Sequence, residues 1–183
     1  FTRHQVDVSD TAQVDHVLDS SRPDVVISTA AYHKVDECEL QMERSFAVNS
    51  IGPTNLSRAC RRINALLVHF STDYVFDGKQ RSPYIETDLP APLSVYGASK
   101  VAGEFMVPNY CARYFVIRTC GLYGIAGSAG KAGNFVETML KKAAERAPIR
   151  VVNDQVLTPT FTGDLAETVS RMISPEIAGR ADS

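Results

Sequence analysis

Asp24-Val25-Val26-Ile27-Ser28-Thr29-Ala30-Ala31 is a near-continuous apolar run of strand length that ends in small residues. A run without polar alternation fits a strand covered on both faces, as in a parallel sheet. Ala65-Leu66-Leu67-Val68-His69-Phe70-Ser71 is a second strand of the same kind. Between them, from about Cys38 to Ile63, lies a helical segment carrying Phe46, Val48, Ile51, Leu56 and Ala59, interrupted near Gly52-Pro53. Upstream, Val6-Asp7-Val8 reads as a short strand, Ser9-Asp10 as a helix cap, and Val14, Val17 and Leu18 as the apolar stripe of a helix closed by Arg22-Pro23. Downstream comes a turn-rich stretch from Asp77-Gly78 through Pro83, Pro90 and Pro92, then a helix around Tyr96 running to about Tyr110. Tyr114 to Thr119 reads as a strand, and Gly121, Gly124, Gly127, Gly130 and Gly133 as a flexible loop. Asn134 to Arg146 is an amphipathic helix with Phe135, Met139, Leu140 and Ala143 on one face. Ile149 to Val152 is a short strand, and a last helix covers about Thr162 to Ile173.

Strands alternating with helices over the whole length predict an α/β fold with a parallel sheet and right-handed crossovers. No internal repeat or linker divides the chain, so residues 1–183 read as one domain. Ligands of such sheets bind at the carboxyl ends of the strands. Asp7, Ala31-Tyr32 and Ser71-Thr72-Asp73 fall at those ends.

With 183 residues, 44% hydrophobic and 22% charged, the composition is that of an ordinary globular protein. A net charge of −2 without a basic run argues against nucleic acid or an anionic membrane as partner. No apolar stretch has the length of a membrane span. Cys38, Cys60, Cys111 and Cys120 show no C-x-x-C spacing and read as reduced thiols of a cytoplasmic protein. Neither they nor His4, His16, His33 and His69 cluster as metal ligands.

Tyr96-Gly97-Ala98-Ser99-Lys100-Val101-Ala102-Gly103-Glu104 places a phenol and an ammonium four residues apart, on one face of a helix. A nearby cation favours the phenolate and draws the tyrosine toward the working pH range. Facing a bound carbonyl, Thr72 would hold its oxygen, Tyr96 would deliver a proton, and Lys100 would stabilise the phenolate and contact a ribose. Each residue also has a plain structural use: Tyr96 as buried aromatic, Lys100 as solvated cation, Thr72 as a strand-end hydroxyl bonding backbone.

Ser71-Thr72-Asp73-Tyr74-Val75-Phe76-Asp77-Gly78, followed by Tyr96-Gly97-x-Ser99-Lys100-x-x-Gly103-Glu104, resembles the extended short-chain dehydrogenase/reductase superfamily, and within it the dTDP-4-dehydrorhamnose reductase family. Further segments share the likeness: Asp7 to Asp10, Pro23 to Ile27, Ala30-Ala31-Tyr32, Val35-Asp36 with Glu39, Asn134 to Val136, and Asp154-Gln155 with Pro159-Thr160. The resemblance implies a Rossmann-like doubly wound sheet, with residues from about 120 to 183 contributing part of a small substrate region. It implies Thr72, Tyr96 and Lys100 as catalytic residues, and NADPH or NADH across Asp7, Val8, Ala30, Ala31, Tyr32 and His33, with Tyr96 and Lys100 at the nicotinamide ribose. Thr72, Asp73 and Gly121 would face a sugar-nucleotide substrate; a cytoplasmic enzyme and a homodimer are compatible with it.

The sequence departs from that family in two places. The Gly-x-x-Gly-x-x-Gly loop of the first strand–helix turn, which binds pyrophosphate, is absent, so the chain is expected to be a fragment lacking the first β-α-β unit. Where the family often has a tryptophan, Arg118-Thr119-Cys120-Gly121-Leu122-Tyr123-Gly124 has Gly121, which would remove an apolar wall from the sugar pocket and admit a related 4-keto sugar nucleotide. Sugar-nucleotide dehydratases need an acid pair directly after the threonine; Asp73-Tyr74 supplies one acid, which favours reduction. An epimerase stays open, as does a non-catalytic relative such as the regulatory subunit of methionine adenosyltransferase, which shares both motifs. The 183-residue chain itself is expected to be inactive or nearly so, and measurable NADPH turnover by it would refute that expectation.

Overall fold

A computed structural model of the chain describes residues 1–125 and 135–181. They form two compact units, Phe1–Arg118 and Thr119–Ser183.

In the first unit, α1 (Thr11–Ser21) starts where Asp10 caps it, the Asp10 carboxylate accepting from the backbone N–H groups of Ala12 (2.9 Å) and Gln13 (3.2 Å). Arg22, left-handed at φ 43°, closes it by donating its N–H to the Leu18 carbonyl. Strand β1 (Val25–Ser28) pairs in parallel with β2 (Leu66–Thr72), Val25 opposite Leu66 and Ser28 opposite His69. Strand β3 (Tyr114–Thr119) lies on the other side of β2. The middle strand is thus the most apolar, and Leu66, Leu67 and Val68 are buried. Val14 and Leu18 of α1, Cys60 and Ile63 of α4 (Gly52–Ile63), Leu67, and Val107 of α5 (Val95–Tyr110) share one hydrophobic core. Each such side chain contributes about 1.5–3 kcal/mol by leaving water. Burial pushes the Cys60 thiol up to about 12, so it behaves there as a small apolar group.

The segment expected as one interrupted helix is four pieces: α2 (Val35–Leu40), α3 (Met42–Phe46), a wide π-turn (Ala47–Ile51) and α4. The interruption falls where Gly52-Pro53 was expected to place it. Proline has no N–H to donate, so it sits in the first turn of α4 and the chain widens just before it.

Two expected strands are not formed. Val6-Asp7-Val8 follows a turn in which Gln5 and Val6 donate their N–H groups to the Thr2 carbonyl. Ile149 to Val152 is exposed and irregular. Apolar, β-branched composition favours a strand only where a partner supplies the ladder, and neither run has one among the described residues. In the second unit the ladder is instead β4 (Leu122–Tyr123) parallel to β5 (Thr160–Phe161), which no apolar run announced. That unit also holds α6 (Phe135–Ala144) and α7 (Thr162–Ala181), the latter continuing past Ile173 through Pro175. Gly127, Gly130, Gly133 and Asn134 lie outside the described residues.

Helix α5 begins at Ser94, whose hydroxyl accepts from the Gly97 N–H at 3.1 Å. At Gly97 an added Cβ would stand 2.2 Å from the Tyr74 carbonyl oxygen. The helix therefore rests on the backbone that follows β2, and only glycine permits that approach. Gly97→Ala should lower stability by about 1–3 kcal/mol, the range for overpacking against an unyielding group, as read by urea unfolding. A change under about 0.5 kcal/mol, the size of an ordinary surface substitution, would contradict this contact.

Candidate active site

Three elements converge at the carboxyl end of β2. The strand ends at Thr72, and the next residues form a tight turn of 3-10 type, Asp73–Val75. Thr72 caps that turn: its hydroxyl accepts from the Tyr74 N–H at 3.2 Å and donates to Asp73 Oδ1 at 3.0 Å. Tyr96, in the first turn of α5, lies near enough to Thr72 for that side chain to act on its phenol. The rings of Tyr74 and Tyr96 meet edge to face, 5.5 Å apart. One helical turn on, Lys100 is buried and its ammonium donates to the Phe70 carbonyl at 2.6 Å. Thr72, Asp73, Tyr96 and Lys100 thus share one end of the sheet.

The loop leaving β1 reaches the same end. Ala30 and Ala31 are half-buried, and Tyr32 packs with Cys38 and Tyr96 in a small cluster. The Tyr32 hydroxyl donates to Glu37 at 2.9 Å, and the Arg44 guanidinium lies 4.8 Å above its ring. His33 is exposed. Asp7 and Val8 are occupied structurally. Asp7 Oδ1 accepts from the backbone N–H (2.9 Å) and hydroxyl (2.6 Å) of Ser9, which holds its carboxyl below the usual range. The Val8 carbonyl accepts from Asn55 at 3.0 Å. Gly121 lies in the second unit, at φ +54°, where an added Cβ would come within 2.6 Å of Leu157 and 2.9 Å of the Thr158 carbonyl. The backbone there leaves no room for a side chain, which accounts locally for glycine at this position.

The expectation that Lys100 lowers the Tyr96 phenol is corrected. Burial pushes Tyr96 up, and the Asp73 carboxylate adds to that, while the neighbouring Thr72 side chain opposes it. The ammonium that was to favour the phenolate is directed at the Phe70 carbonyl. Lys100 itself is pushed down to about 8 by burial, with Glu104 acting against the shift. Asp73 is raised by burial.

Asn49, which the sequence reading did not single out, ties these elements together. It sits in the π-turn, fully buried. Its Oδ1 accepts from the Tyr32 N–H at 2.8 Å, while its Nδ2 donates to the Tyr32 carbonyl at 3.0 Å and to the Ser99 hydroxyl at 3.0 Å. Ser99 donates to the Tyr96 carbonyl at 2.7 Å, and the Ser50 hydroxyl donates to the Ser99 carbonyl at 2.7 Å. One side chain thereby pins the loop after β1 to the helix carrying Tyr96 and Lys100. The available signal was a lone asparagine amid apolar residues beside Gly52-Pro53, where a π-turn commonly marks a site. Among the described residues no group of three His, Cys, Asp or Glu side chains is arranged to hold a metal ion, and no helix is long and apolar enough to cross a membrane.

A parallel sheet with flanking helices, and with threonine, tyrosine and lysine at one strand end, has the form of a Rossmann-like fold. The family model for the RmlD substrate binding domain matches residues 1–183, and the chain belongs to that family. It is 38% identical over 178 residues to dTDP-4-dehydrorhamnose reductase of Escherichia coli, covering 94% of this chain and 58% of that protein. It is 40% identical over 174 residues to the spore coat polysaccharide biosynthesis protein SpsK of Bacillus subtilis, covering 95% of this chain and 60% of that protein. The crystal structure of dTDP-4-dehydrorhamnose reductase from Bacillus anthracis in complex with NADP superposes with a TM-score of 0.88 at 39% identity, covering 94% of this chain and 60% of that one. The chain therefore spans about 60% of the length of these relatives.

Beside Lys100, His69 of β2 is fully buried, and neither ring nitrogen has a hydrogen-bond partner among the described residues. Burial, reinforced by the Lys100 charge, pushes its imidazole down to about 3 from 6.5. Unfolded, it would take a proton near 6.5; folded, it stays neutral until about 3. Its contribution is therefore fully present above pH 6.5 and lost as pH falls toward 3, at about 1.4 kcal/mol per pH unit. In urea unfolding from pH 7 to 4, His69→Leu should lose stability less steeply than the unsubstituted chain by about that slope; parallel curves would contradict the neutral assignment.

Proposed function

We propose that the whole protein carrying this chain reduces a 4-keto-6-deoxy sugar nucleotide of the dTDP-4-dehydrorhamnose type, using NADPH or NADH, as in dTDP-L-rhamnose biosynthesis. The observation that carries this reading is the convergence of Thr72 and Tyr96 at the end of β2, near enough for Thr72 to act on the phenol, with Lys100 one turn along the same helix.

That pair suits a carbonyl acceptor. Thr72 has a short, stiff arm; its single O–H, given to Asp73 in the free site, would turn to the carbonyl oxygen of a bound substrate and orient it. The Tyr96 phenol, held protonated by burial, keeps its proton until negative charge develops on that oxygen, then delivers it. The carbonyl carbon gains hydride, the oxygen gains the phenol's proton, and the product is a secondary alcohol; the phenolate recovers its proton from water. Lys100, whose ammonium is directed at the Phe70 carbonyl, would act on the cofactor ribose with its remaining donors.

The residues present fit a dinucleotide in part. Ala30 and Ala31 have small side chains that let a ligand approach the backbone, Asn49 fixes the Tyr32 backbone beyond them, and Lys100 has three donors of which Phe70 takes one. Ala30, Ala31, Tyr32, Tyr96 and Lys100 would hold the cofactor, with Asp7, Val8 and His33 at its margin. When bound, the dihydronicotinamide supplies the hydride. Thr72 and Asp73 would hold the sugar. A cytoplasmic homodimer is the setting this reading proposes.

The full-length protein, assayed with a dTDP-4-keto sugar and each cofactor, should oxidise at least one of them. Tyr96→Phe should keep the fold by circular dichroism and lose about 10²- to 10⁴-fold in kcat. A phenylalanine variant within a few-fold of the unsubstituted enzyme would overturn the role of Tyr96, and no oxidation of either cofactor would overturn the reductase reading.

A further inference from the structure

The short helix α2 takes no part in the chemistry of the candidate site, yet three consecutive side chains of it reach the surroundings of Tyr96. Glu37 accepts from the Tyr32 hydroxyl at 2.9 Å. Cys38 is fully buried, donates its thiol to the Tyr32 carbonyl at 3.4 Å, and packs in the cluster with Tyr32 and Tyr96. Glu39, which the sequence reading grouped with Val35-Asp36 but gave no role, reaches furthest. Its Oε1 accepts from the backbone N–H of Val95 at 2.8 Å, 56 residues along the chain.

Val95 is the first residue of α5 and Tyr96 the second. The first N–H groups of a helix have no acceptor within it. In α5 the Gly97 N–H is taken by the Ser94 hydroxyl at 3.1 Å, and the Ala98 N–H by the Ser94 carbonyl at 2.9 Å. Ser94 therefore caps the helix from its own chain neighbourhood. What Glu39 adds is a tie to another element: it joins the start of α5 to α2, and through α2 to the loop after β1. A carboxylate suits that place, because it is a strong acceptor and its charge is favoured at the positive end of a helix. Tyr96 thus lies between two held amides, Val95 and Gly97. A loosened first turn would carry its phenol out of the geometry that proton delivery needs.

We propose that Glu39 is a positioning residue: its bond to the Val95 N–H holds the first turn of α5 so that the Tyr96 hydroxyl stays aimed at the substrate oxygen. The consequence for catalysis rests on the reductase reading; the hold on the helix start does not.

The test breaks the bond from each side in the full-length protein. Glu39→Ala removes the acceptor. Val95→Pro removes the donor and keeps an apolar side chain. Proline is tolerated at the first position of a helix, and the extended Ser94 (φ −135°, ψ 158°) can precede it without conflict. With a dTDP-4-keto sugar and the cofactor that supports turnover, each variant should lower kcat about tenfold and leave both KM values within about twofold. The double variant should lose no more than either single one, since both remove the same bond. Glu39→Gln, whose amide oxygen can accept the same N–H, should keep kcat within about threefold. Deuterium exchange of the Val95 amide should quicken by about tenfold or more in Glu39→Ala and change little in Glu39→Gln.

A merely structural tie predicts a lower melting temperature with kcat of the folded protein unchanged. That result would overturn the proposal, as would losses that multiply in the double variant or a Glu39→Gln loss equal to that of Glu39→Ala. Should either single variant fail to fold, the other decides together with Glu39→Gln. Should the full-length protein reduce no keto sugar, the reductase reading fails, and exchange at Val95 still decides this one: faster exchange in Glu39→Ala supports the hold of Glu39, and unchanged exchange overturns it.

Discussion

The constraint on which the candidate site depends is the burial of one ammonium. Lys100 is 2% exposed, and its bond to the Phe70 carbonyl joins helix α5 directly to the central strand. A cation so placed must be compensated, and its surroundings supply a backbone carbonyl, a neutral imidazole and a carboxylate one turn away. Moving α5 away from β2 would leave that charge buried without its acceptor. The same packing carries Tyr96 to the hydroxyl of Thr72. Site geometry and helix packing are thus one problem with one solution.

A second layer keeps that solution unique. Asn49 satisfies both backbone groups of Tyr32 and reaches the Ser99 hydroxyl, so the loop after β1 and helix α5 cannot move independently. Such a network specifies its geometry only when fully bonded, and each Asn49 amide atom has partners here. The π-turn makes this possible by turning an interior helical residue toward two neighbours at once. Gly97 does the complementary work by letting α5 sit against the Tyr74 backbone.

The parallel sheet core was legible from Asp24–Ala31 and Ala65–Ser71, because a doubly covered strand writes itself as an apolar run. The extent of α5 and of the Tyr114–Thr119 strand was legible for similar local reasons. Tyr96, Lys100 and Thr72 were legible as a pattern, and the structure brings them together. The false strands at Val6–Val8 and Ile149–Val152 show the limit of the same logic, since a ladder needs a partner that local composition does not name. The unannounced pair β4 and β5 is the converse case: two residues in each strand are too few to carry a periodic signal. The Tyr96 phenol was misjudged because spacing along a helix shows that lysine and tyrosine share a face, not where the ammonium points. Asn49 was missed because its partners Tyr32 and Ser99 lie 17 and 50 residues away along the chain.

The central claim is that Thr72 and Tyr96 meet the same substrate oxygen. The most direct measurement is a crystal structure of the full-length protein with a 4-keto or 4-hydroxy sugar nucleotide and the oxidised or reduced cofactor bound. The account predicts the C4 oxygen within hydrogen-bond distance of both Thr72 Oγ1 and Tyr96 Oη, with Lys100 on the cofactor side. A sugar whose C4 oxygen contacts neither hydroxyl would contradict it.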